Sequence, residues 1–66
     1  MATYRAFLVG KGGHFEGVHI LDGCDRDDDA IATAARYVDG CAVQVWNLSR
    51  LVATLRLEGG QIIKET

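Results

Sequence analysis

Five aspartates crowd into the segment 22–29, at Asp22, Asp25, Asp27, Asp28 and Asp29, and form the most conspicuous polar feature of the chain. A calcium loop needs carboxylates at alternate positions, a glycine for the sharp turn and a distal glutamate. Asp25, Asp27 and Asp29 alternate, but Ala30 stands where the glycine belongs. Acids at a helix start instead accept hydrogen bonds from orphan amides and complement the macrodipole. The run therefore reads as a helix start, and no metal is expected there. His14, His19, Cys24 and Cys41 are the residue types of a zinc site. Their spacing fails, because His14 and His19 fall on opposite faces of a regular strand and the cysteines bracket a helix.

Three other chemistries are weighed and set aside. Cys24 near a helix start has the position of a reactive thiolate, but the surrounding aspartates disfavour another negative charge. Gly10, Gly12 and Gly13 suggest a phosphate loop, yet Phe15 replaces the third glycine of the dinucleotide pattern and a strand follows where a helix is required. Ser49 is the only serine, and no histidine lies near it in sequence. Nothing resembles a nucleophile with its base and orienting group. No enzyme activity and no cofactor are expected.

The elements that would position these residues are four strands and a helix. Thr3–Val9 is rich in aromatic and branched residues. Gly10-Lys11-Gly12-Gly13-His14 turns the chain into Phe15–Leu21, where Gly17 suggests a bulge or a close backbone approach. After Asp22-Gly23, Asp25 is a plausible N-cap with Asp28 three residues on. The stripe Ile31, Ala34, Ala35 and Val38 marks a helix to about Asp39, ended by Gly40 as a left-handed C-cap. Cys41–Trp46, the turn Asn47-Leu48-Ser49-Arg50 and Leu51–Leu57 form a second hairpin. The expected fold is α+β: a β-β-α-β-β domain over residues 1–58, with a four-stranded, mostly antiparallel sheet and one helix on one face. Order 2-1-3-4 follows if the helical crossover spans the first strand. Residues 59–66 form a tail or a short extra strand.

Composition bounds the function classes. Sixty-six residues make one small domain, of the size that leans on self-association for stability. Nine acids against seven bases give a net charge of −2, the wrong balance for a nucleic-acid binder. No run approaches the ~20 apolar residues of a membrane span, and no signal peptide opens the chain. A helix of about 14 residues holds Cys24 and Cys41 ~20 Å apart, too far for a disulfide. Two unpaired cysteines fit a reducing compartment, so a cytoplasmic location is expected.

The strands are apolar on both faces. The helix stripe assigns Ala6, Leu8, Val18, Ile20, Val43, Val45, Ala53 and Leu55 to the internal core. The opposite face is assigned Phe7, Val9, Trp46 and Val52, with Arg5 and Arg56 beside them, and Phe15 joins its aromatics. Aromatics with arginines suit protein interfaces and, on a sheet, single-stranded bases.

Two resemblances add to this reading. Over nearly its whole length, through Tyr4-Arg5-Ala6-Phe7, Gly13-His14, Asp28-Asp29-Ala30-Ile31, Val38-Asp39-Gly40, Val43-Gln44-Val45-Trp46 and Arg50-Leu51-Val52-Ala53, the chain resembles small β-β-α-β-β proteins of alphaproteobacteria. That resemblance implies a bacterial protein and a fold, without an activity. Through Tyr4-x-Ala6, Gly12-Gly13-His14, Leu21-Asp22-Gly23-Cys24 and Asp28-Asp29-Ala30, the first forty residues also resemble the RNase H-like domain of HicB-type antitoxins. The proline-rich corner of that domain has no counterpart here and no DNA-binding module follows, so action at an operator is not expected.

The sequence thus leads to a non-enzymatic interaction module that self-associates, as a homodimer or higher, through the face carrying Phe7, Val9, Trp46 and Val52. The alternative is an antitoxin-like binder of a small basic toxin or RNase. A third reading is a single-strand nucleic-acid binder using Phe7, Phe15, Trp46, Arg5 and Arg56.

Overall fold

Branched and aromatic runs become strands, and glycines mark the turns between them. In this computed structural model, residues 3–38 and 41–65 are described. Strand β1 spans Tyr4–Val9 and β2 spans Phe15–Leu21, joined by a 3-10 turn at Lys11–Gly13. Helix α1 covers Asp27–Ala34 and tightens into a 3-10 turn at Ala35–Tyr37. Strands β3 (Ala42–Asn47), β4 (Arg50–Glu58) and β5 (Gln61–Glu65) follow. The sheet is antiparallel throughout, in the order β2-β1-β3-β4-β5. The inner order matches the 2-1-3-4 expectation. The tail adds a fifth strand where four were expected, because Gly59 and Gly60 adopt φ of 60° and 81° and turn it back onto β4.

One face of the sheet packs against α1. Tyr4, Ala6, Leu21, Val43, Val45, Ala53 and Leu55 are buried there with Ala30 and Ala34 of the helix. Ile31, Ala35, Tyr37 and Val38 pack partly buried around them. The stripe expected on the helix is therefore in place, joined by Ala30. The helix itself differs from expectation at its start. Arg26, in extended conformation, is the N-cap residue and makes no side-chain cap bond; Asp25 is not the cap. Asp27, Asp28 and Asp29 fill the first turn instead, where negative charge complements the dipole. The helical turns end at Tyr37 and Val38 is already extended, so the helix stops short of the expected end near Asp39. Asp39 itself and the expected Gly40 cap lie outside the described residues.

An eight-residue helix is ~12 Å long and, with its side chains, ~10–12 Å wide. Five strands at ~4.8 Å spacing extend well past it. Leu57 and Ile62, a cross-strand pair on β4 and β5, consequently remain 53% and 46% exposed on the helix side of the sheet.

Two bulges decide which side chains face the helix. The first lies on β2, where Val9 pairs with Phe15 but Leu8 pairs with Gly17, leaving Glu16 as the extra residue. A bulge was expected at Gly17; its consequence for side-chain parity is a correction. Ala6 pairs with His19 and Tyr4 with Leu21, so His19 and Leu21 face the helix. Val18 and Ile20, assigned above to the core, lie on the opposite face at 52% and 63% exposure. The second bulge lies on β4, where Val45 pairs with Ala53 but Trp46 pairs with Leu51. Val52 is the extra residue, and it is buried in the core cluster rather than on the opposite face. An inserted residue shifts the two-residue period of a strand by one, which reverses facing beyond it.

Candidate interaction surface

The sheet face away from α1 is built from cross-strand rows. The first row runs Ile20, Arg5, Trp46, Leu51 across β2, β1, β3 and β4. The next runs Val18, Phe7, Gln44, Thr54, Glu65 across all five strands. A third carries Phe15 and Val9 at one side and Arg56 with Ile63 at the other. Phe7 is the hub of the aromatics. Its ring meets Phe15 edge-on at 5.6 Å between centroids and 71°, and it meets Trp46 at 6.5 Å and 47°. The edge-to-face Phe7–Phe15 pair places a positive ring edge against a negative ring face, while the Trp46 ring is tilted against Phe7. Trp46 Nε1 donates to Gln44 Oε1 at 3.2 Å, which satisfies the indole and fixes its orientation along the face.

The ion pairs of this face lie at one end of it. Arg56 bridges Glu65 at 2.8 Å and Glu58 at 3.3 Å, tying β4 to β5. Arg5 makes no ion pair among the described residues and lies between Ile20 and Trp46 in its row. A shallow concavity over β1 and β2 is lined by Phe7, Phe15, Glu16, Gly17 and Val18. The β2–β1–β3 half is therefore mainly apolar, with Arg5, Gln44 and the bulge residue Glu16 as its polar groups, and the β4–β5 half is a charged border.

Of the residues assigned to this face from sequence, Phe7, Val9, Trp46, Arg5 and Arg56 stand on it together, with Phe15. Val52 does not, being buried. Val18, Ile20 and Leu51 belong on it and were missed, because strict alternation was carried through both bulges.

The polar residues assemble elsewhere. Asp27 accepts from the Tyr4 hydroxyl at 2.7 Å and from both terminal nitrogens of Arg50, at 3.0 and 3.3 Å. This cluster clasps the start of α1 to β1 and β4. The Arg50 bonds, seconded by the Tyr4 hydroxyl, hold the Asp27 carboxyl below its ordinary range. The same contact with Asp27 pushes the Tyr4 phenol upward and raises Arg50. Each of these groups serves another in holding the helix start to the sheet. Among the described residues, no three histidine, cysteine or acidic side chains converge as a metal site requires. His19 lies on the helix side, stacked on Tyr37 at 4.1 Å and 10°. Cys24 is buried, with its thiol 3.6 Å from Thr33 Oγ1; Cys41 Sγ lies 3.9 Å from the Tyr37 carbonyl, and both thiols are free.

No family model, curated protein or solved structure matches the chain in comparisons with known proteins.

Proposed function

We propose that the protein is a non-enzymatic interaction module that self-associates through the sheet face opposite α1. The observation that carries this reading is the row structure of that face: Phe7, Phe15, Val18, Ile20, Trp46 and Leu51 form one continuous apolar field. Phe15, Ile20 and Val18 are more than half exposed, at 64%, 63% and 52%. Contiguous apolar surface with a polar border is the anatomy of a protein interface, with aromatics and arginine as its anchors. A second copy supplies a matching surface by symmetry, since a two-fold contact is self-complementary. The pairing of Arg56 with Glu65 and Glu58 supports a protein partner over nucleic acid, because it withdraws one of the two arginines that phosphates need.

Sedimentation equilibrium of the wild type and of Trp46→Asp tests the reading. The wild type is expected to associate, and the aspartate to weaken association by about thirtyfold or more, the ~2 kcal/mol scale of an interface anchor. Far-UV circular dichroism of the variant is expected to stay native, since Trp46 is only half-buried in the single chain. A wild-type monomer at high micromolar concentration would overturn the proposal.

A further inference from the structure

We infer that β2 is a second assembly surface, pairing edge to edge with β2 of another copy so that two five-stranded sheets join into one. Both outer strands leave one edge unpaired, but they differ in protection. Natural edges are blunted by lysine, proline or inward-pointing charge. Strand β5 carries Lys64 and Glu65 among its five residues, and Glu65 is held by Arg56. Strand β2 carries one charge in seven residues, Glu16, and that residue sits in the bulge. From Gly17 to Leu21 the edge is regular, with no charge and no proline.

This regular segment is self-complementary. A two-fold axis through His19, normal to the sheet, sets Val18 opposite Ile20 of the second copy and Gly17 opposite its Leu21. Val18 and Ile20, 52% and 63% exposed, would then form two apolar cross-strand pairs on the open face. Within Gly17–Leu21 no like charges meet, while just outside it the same register sets Glu16 towards Asp22 of the second copy; the open faces of the two copies become continuous.

Area gives a second argument, which rests on the face-to-face reading above. Five strands at ~4.8 Å by about six residues at ~3.3 Å make a face of roughly 450–500 Å² in plan. A standard interface buries about 800 Å² per partner. A doubled sheet presents about twice the plan area, so edge pairing brings the face up to the size that a stable contact needs. The arrangement implied is two edge-joined pairs stacked through their open faces.

The two surfaces can be separated by cross-linking. His19 faces the helix side, so two copies stacked by their open faces hold their His19 positions well over ~10 Å apart, the spacing of the sheets themselves. In an edge pair the two His19 Cα atoms lie within ~4.5–5.5 Å, inside disulfide range. In the full chain with Cys24→Ala and Cys41→Ala, His19→Cys is expected to form a covalent dimer under mild oxidation. The rate should exceed that in denaturant on the order of a thousandfold, as a millimolar effective concentration implies at micromolar protein. Gln44→Cys in the same background reports the face contact separately. Cross-linking of Gln44→Cys without His19→Cys overturns the edge pairing and leaves the face reading standing; the reverse result supports the edge and removes the face. No cross-link in either overturns both. Hydrogen exchange of the wild type guards against a misfolded variant: protection of every amide from Gly17 to Leu21 supports the edge pair, and rapid exchange of alternate amides in the associated protein overturns it.

Discussion

Leu48 turns the β3–β4 hairpin with a φ of 56° while 65% exposed, a left-handed conformation that costs a branched side chain about 1–2 kcal/mol. Asparagine tolerates that region, so Leu48→Asn is expected to stabilise the fold by about 1 kcal/mol, read from the urea midpoint at unchanged m-value. Asp27 carries the acid sensitivity. Its folded pKa lies below the unfolded value of about 3.9, so its contribution to stability is complete above that value and is lost as pH falls through the folded pKa. Asp27→Asn is expected to lower the urea midpoint at neutral pH and to flatten its fall below about pH 4. An unchanged acid limb in the variant would assign the sensitivity to another carboxylate. The clasp was not legible in the sequence. Tyr4, Asp27 and Arg50 lie 23 residues apart in succession, and only the pairing of β1, β3 and β4 brings them to one end of the helix. The aspartate run was legible as a helix start in that Asp27, Asp28 and Asp29 fill the first turn, where they complement the dipole, but the capping bond expected of Asp25 is not made.

At the scale of the elements, strand and helix positions were legible because each rests on a local pattern: branched runs, a four-residue apolar stripe, glycines at turns. Facing was legible only as far as each strand stayed regular. Gly17 advertised the β2 bulge, yet carrying the alternation unbroken past it sent Val18 and Ile20 to the core. Val52 had no such signal, since neither it nor its neighbours Leu51 and Ala53 is a residue that favours a bulge. The parity assigned by the second bulge has a direct consequence. Val52→Asp puts a charge into the core cluster and is expected to unfold the domain, whereas Leu51→Asp is expected to leave circular dichroism native and weaken association. Equal unfolding by both would contradict the register of β4. Leu55, 1% exposed beneath α1, anchors the helix to the sheet, and Leu55→Ala is expected to cost about 2–5 kcal/mol in a denaturant titration.

Over its described residues the molecule is a sheet of five strands served by one short helix, and that imbalance underlies the proposed assembly. The apolar surplus was visible in composition and alternation. Its size was not, because the fifth strand depends on two glycines whose turn could equally have released the chain. Extension by β5 leaves Leu57 and Ile62 uncovered on the helix side and places the Arg56 ion pairs at the border of the open face. A single-stranded oligonucleotide at low salt is expected to produce no shift in Trp46 fluorescence, in keeping with a net charge of −2. The proposed meeting place of two copies is the open face. Amide chemical shifts followed by NMR on dilution from millimolar to low micromolar concentration test it most directly. Shifts at Arg5, Phe7, Gln44, Trp46 and Leu51 are expected to move together along one binding curve while Ala30 and Ala34 stay fixed. Shifts independent of concentration, or changes confined to the helix, would contradict the account.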